Sequence, residues 1–164
     1  MDRNLNLGVK QNVPKLEQKN SMVDKSMLFQ AKAFLCWDKF SDLAIKLIPI
    51  EKSVAFFFPP AKDVATINLF YKKGNVDFTR EVALLFHEAG HLKQWQDFQD
   101  QHREQDFWRL LDLDKGNQKM AFEREAWDFG AIFLKEFAQE NNIELSQIIF
   151  SYQALVEESI MTYK

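Results

Sequence analysis

Two histidines and a glutamate, at His87, Glu88 and His91, are the residues of this chain whose spacing implies chemistry most directly. Side chains four apart on an α-helix share a face, so both imidazoles can turn toward one metal ion. Glu88, one step round the helix, can reach a water on that ion. The H-E-x-x-H pattern thus points to a reaction as well as a ligand set: hydrolysis of an amide bond by a water whose pKa the metal lowers from 15.7 to about 7. The chain has 3 histidines, and two of them are in this pentad. The plain alternative is a chance match of two polar helix residues. It sits poorly with the neighbours Val82, Leu84, Leu85, Phe86 and Leu92, because a helix this apolar does not bury imidazoles without partners.

A catalytic zinc takes three protein ligands and keeps one position open. At the metzincin spacing the third histidine would fall on Asp97, and the glycine that pattern needs is Gln94, so Asp97 is a weak candidate. His102 would need the chain to turn back and reads as a solvated surface residue. A better candidate is Glu123, in the segment Phe122-Glu123-Arg124-Glu125-Ala126-Trp127. Gly90 lies in the pentad helix, where glycine costs about 1 kcal/mol relative to alanine. With Ala126 and Gly130 it suits two helices that must approach closely enough to share an ion. Otherwise Glu123 is an ordinary helix carboxylate paired with Arg124 or Arg80.

The elements that must position these groups follow from periodicity. A first helix is expected over 24–40. Short β-branched and aromatic runs at 43–48, 54–58 and 64–71, each closed by Pro or Gly signals, predict a three-stranded sheet, although the first run could also extend the helix. The pentad helix should run from Thr79, capped by Thr79 or Asp77, to about Gln99. A short helix is expected within 100–118, where mixed charges suit a solvated face or lid. A long helix over 118–141 carries the apolar seam Phe122, Ala126, Phe129, Phe133 and Phe137, and a last one covers 146–163. The expected fold is α+β, a small three-stranded sheet packed on a helical bundle. Residues 1–23 read as a polar arm and 24–164 as one domain.

Bulk composition narrows the function classes. Hydrophobic residues make up 46% of the 164, with 16 Phe and 4 Trp, which argues for a packed core. A net charge of −3 without Lys/Arg clusters gives no basis for direct nucleic-acid binding. The single Cys36, in an apolar run, cannot form an internal disulfide and reads as a buried structural thiol in a reducing compartment. The N-terminus lacks the apolar core of a signal peptide, and no run nears the roughly 20 residues of a membrane span. A cytoplasmic protein without a membrane partner is expected.

With the pentad, the "Thr-Ile-Asn-Leu" strand at 66–69 and the Glu-Arg-Glu-Ala helix, the layout over about 24–140 resembles the gluzincins, and in particular the ImmA/IrrE family of small cytoplasmic zinc peptidases. The resemblance implies a zincin-like metallopeptidase fold, one Zn2+ held by His87, His91 and Glu123, and Glu88 as general base; Glu125 is the fallback ligand. It also implies a regulatory protease of narrow range acting on a protein or peptide, including a regulatory repressor. Two departures stand out. Many gluzincins carry Asp or Asn four residues after the ligand Glu to orient a histidine, and here that position is Trp127; the Pro that often closes the last motif is absent after Leu134. The first departure favours the alternative of a non-catalytic metal-binding module for sensing or protein interaction. For the oxyanion, His102, Tyr71 and Tyr152 are candidate donors, and the strand at 64–71 is a candidate edge for an extended substrate.

Overall fold

The computed structural model describes residues 22–60 and 62–164. Most of the expected polar arm lies outside this range. Its last residue, however, belongs to the core: Val23 is buried, and its carbonyl accepts the Phe78 N–H at 2.7 Å. Helix α1 (Lys25–Ala33) starts at Asp24, whose carboxylate accepts the Met27 N–H at 2.9 Å, the usual capping bond. It widens into a π-helical turn over Phe34–Lys39, which ends with the Phe40 N–H on the Leu35 carbonyl. Cys36, in that turn, is only partly buried.

Strands β1 (Leu43–Ile50), β2 (Val54–Phe58) and β3 (Ala65–Lys72) form one mixed sheet in the order β1-β3-β2. The central strand β3 is parallel to β1 and antiparallel to β2. Ala65, Ile67, Leu69 and Tyr71 are all buried, as a period of two requires of the covered face. Pro49, expected to end β1, lies inside it. Because β1 is an edge strand, a residue without an N–H is tolerated there.

Helix α2 (Thr79–Asp100) packs on β2 and β3, and α3 (Glu104–Leu111), α4 (Asn117–Glu140) and α5 (Leu145–Met161) pack against α2. Among the described residues the fold is therefore α+β, with a small mixed sheet and five α-helices. The Asp77 carboxylate accepts both the N–H and the hydroxyl of Thr79 at the start of α2, at 3.0 and 2.6 Å. One turn in, the buried Glu81 accepts from Ser53 and Asn75, tying the β1–β2 turn and the β3–α2 loop to the helix. Phe34, Phe86 and Phe137 form the middle of the core, the last ring lying 5.6 Å from each of the other two. In the expected seam, Phe122, Ala126, Phe133 and Phe137 are buried and Phe129 partly so. Among the described residues, no helix is long and apolar enough to cross a membrane.

Candidate metal centre

Helix α2 presents His87 and His91 from one face, and α4 brings Glu123 against them; all three are buried. Glu123 Oε2 is 3.3 Å from His87 Nε2 and 3.4 Å from His91 Nε2. A charge-assisted N–H···O bond would be about 2.7–2.9 Å long. By contrast, ligands about 2.0–2.1 Å from a tetrahedral ion stand about 3.3–3.4 Å apart. The other oxygen of the same carboxylate, Oε1, does make a contact of hydrogen-bond length, 2.8 Å to Lys119 Nζ. Glu123 thus has one oxygen bonded and one at the spacing of a shared ion. Ligand atoms of the three residues all lie within 4.8 Å of one another, and the group can hold a metal ion.

The tautomer of His91 follows from its neighbour. Gln94 Nε2 lies 2.8 Å from two acceptors, the Phe122 carbonyl and Glu125 Oε2, so this end of the amide must be its nitrogen. Gln94 Oε1 then faces His91 Nδ1 at 2.8 Å, which requires the proton on Nδ1 and leaves the Nε2 lone pair free to bind an ion. Gln94 thereby takes over the orienting task expected of an acid at position 127. Trp127 instead stacks on His87, with ring centroids 4.0 Å apart and planes inclined by 20°. His87 Nδ1 is buried without a hydrogen-bond partner among the described residues. One histidine is held by a hydrogen bond, the other by an aromatic face.

Burial pulls the His87 pKa down to about 4. For His91, burial acts in the same direction, but the neighbouring Glu123 carboxylate outweighs it and the pKa is raised. Glu123 is opposed by burial too, yet the two imidazoles keep it well below the carboxylate range. Glu88 is also buried, which pushes it up; the charge of His91 and the Phe57 backbone N–H oppose the rise, and it settles at about 7.

A cleft of about 500 Å³ opens onto this group between the β2 strand, α2, α4 and the end of α5. Two residues the sequence reading missed, Lys119 and Tyr163, line it. Tyr163 faces Glu123, and burial together with that negative charge pushes its phenol up to about 12. Nothing local in the sequence pointed to Tyr163, which arrives by the packing of the C-terminal helix. Lys119 did carry a signal, since it precedes Glu123 by one helical turn.

Several expectations are corrected. Asp97 is paired with Lys93; His102 is exposed at the end of α2 with φ of 55°, the surface residue expected, and as a candidate oxyanion donor it fails because it does not line the cleft. Glu125 is exposed and bonded to Gln94, so it is not the third ligand. Arg124 and Arg80 pair with Glu157 and Glu158, leaving Lys119 as the cation on Glu123. Tyr152 donates to the Trp127 carbonyl at 2.6 Å, Tyr71 packs on Phe78, and neither lines the cleft. Strand β3 cannot accept an extended substrate because both its edges are paired; among the described residues the unpaired edge beside the cleft is that of β2.

No family model, curated protein or solved structure matches the chain.

Proposed function

We propose that this chain is a zinc-dependent peptidase of the gluzincin type, with a layout resembling the ImmA/IrrE family, in which His87, His91 and Glu123 hold the ion and Glu88 is the general base. The observation that carries the reading is that the Nε2 atoms of two α2 imidazoles stand 3.3 and 3.4 Å from one α4 carboxylate oxygen, the separation of neighbouring ligands on a tetrahedral ion, in a cleft that Glu88 also lines. Bound there, zinc would polarise a scissile carbonyl and lower the pKa of a water to about 7. Glu88 takes the proton of the attacking water and delivers it to the leaving amine, while the Phe57 N–H steadies its carboxylate. The Tyr163 phenol stays protonated and supplies a hydrogen-bond donor for charge developing on the carbonyl oxygen. An extended protein or peptide segment adds to the free edge of β2 through main-chain hydrogen bonds. Leu84, Leu111 and Trp127 give the cleft apolar walls against which its side chains dehydrate.

Glu88→Gln is the direct test. The variant should bind zinc as the unaltered chain does and lose cleavage of an unfolded protein substrate; turnover that survives the change would sink the mechanism. A second reading, a metal-binding module without catalysis, is favoured by the partnerless Nδ1 of His87. It predicts that the unaltered chain and the Gln variant bind metal equally and are equally inert.

A further inference from the structure

Lys119 has no part in the hydrolytic scheme, yet it is buried against the metal ligands. Its side chain is 7% exposed and its Nζ lies 2.8 Å from Glu123 Oε1. The same Nζ donates to the Leu111 carbonyl at 2.8 Å. The rings of Phe122 and Tyr163, with centroids 5.7 and 5.5 Å away, complete its surroundings. The two oxygens of Glu123 are thereby assigned different partners: Oε1 to an ammonium, Oε2 to the space between the imidazoles.

Resting on the metal reading above, we propose that Lys119 is a positioning residue that restricts Glu123 to ligation through Oε2 alone and weakens the hold of the centre on its ion. A carboxylate with both oxygens free can chelate, filling a coordination position that water and substrate need. An ammonium on Oε1 blocks that mode. Its charge also opposes a neighbouring cation and draws electron density away from the ligand oxygen, leaving the ion more electron-poor. In the metal-free chain the same charge compensates a buried carboxylate that would otherwise stand unpaired.

This predicts a sign that a merely structural lysine would not give. The unaltered chain, Lys119→Met and Lys119→Arg are stripped with a chelator and loaded with Co2+, whose visible absorption is stronger in four-coordinate than in five-coordinate sites. Zinc affinity is measured by chelator competition, and melting is followed without metal. Lys119→Met should weaken the cobalt band as Oε1 joins the ion, and lower the metal-free melting temperature. It should also tighten zinc binding by roughly the 10–100-fold that groups behind metal ligands command, in the opposite direction from the usual loss. Lys119→Arg, which keeps charge and donors, should restore the original band and affinity. Lys119→Gln carries the same expectation as Met should the Met variant fail to fold. An unchanged band with weaker zinc binding would overturn the proposal while leaving the metal reading intact. Failure of the unaltered chain to take up cobalt or zinc would overturn both.

Discussion

A methyl group on Gly90 would lie 1.9 Å from the carbonyl oxygen of Ala126. Helices α2 and α4 therefore touch backbone to backbone within a turn of His91 and Glu123. Gly130 repeats the relation further along α4, where an added Cβ would come within 2.6 Å of the Phe86 carbonyl oxygen. The ligand atoms converge because the helix axes are this close, and the axes are close because these positions carry almost no side chain.

Gly90→Ala should accordingly run against helix propensity. Alanine is favoured by about 1 kcal/mol within a helix, but the clash is with backbone, which cannot rotate away, and overpacking of this kind costs about 1–3 kcal/mol or more. Urea unfolding should show a lower midpoint and metal titration a weaker site. A midpoint that rises would mean the two helices do not meet as described.

Gln94→Leu removes the acceptor that fixes His91 with Nδ1 protonated, leaving that buried N–H unpaired, and removes the side-chain N–H that Gln94 adds to the Phe122 carbonyl. Zinc affinity should fall by roughly 10–100-fold, and stability by about 1–3 kcal/mol, with the helical content of the circular dichroism spectrum retained. Unchanged zinc affinity in a chelator competition would show that Gln94 does not orient the ligand.

Zinc uptake should be coupled to proton release, and the direction follows from the individual shifts. His91 is raised above its ordinary value and Glu88 stands at about 7, so both carry protons in mildly acidic solution that an arriving cation must expel. His87, lowered to about 4, has none to give at that pH. Affinity should therefore drop as the pH falls through about 7. Calorimetry in buffers of different ionisation heat should detect more than one proton released at about pH 6 and fewer at about pH 8. Equal affinity at the two pH values would contradict the protonation states described.

The convergence of His87, His91 and Glu123 was legible because it depends on short-range geometry. His87 and His91 are one helical turn apart, and Glu123 lies in a segment whose small residues mark a helix contact. The strands were legible for a related reason, since each is a short β-branched or aromatic run, although Pro49 lies within β1 and does not end it. Strand order was not. The parallel pairing of β1 with β3 skips β2 and depends on contacts distant in sequence, so the edge beside the cleft was misplaced onto β3. Tyr163 and the Phe57 N–H reach the site only through tertiary packing. Gln94 is a different case: its place three residues after His91 put it on the correct face, but a polar helix residue has no distinguishing mark until its acceptors are in view.

The central claim is that three side chains hold one ion, and the metal content of the purified chain tests it most directly. Elemental analysis of protein prepared without added metal should find about one zinc per chain, the complement of a single site with three protein ligands. His91→Ala and Glu123→Ala, shown by circular dichroism to keep their helices, should have lost it. A folded, unaltered chain that remains well below one ion per chain after incubation with zinc and removal of the excess would contradict the account.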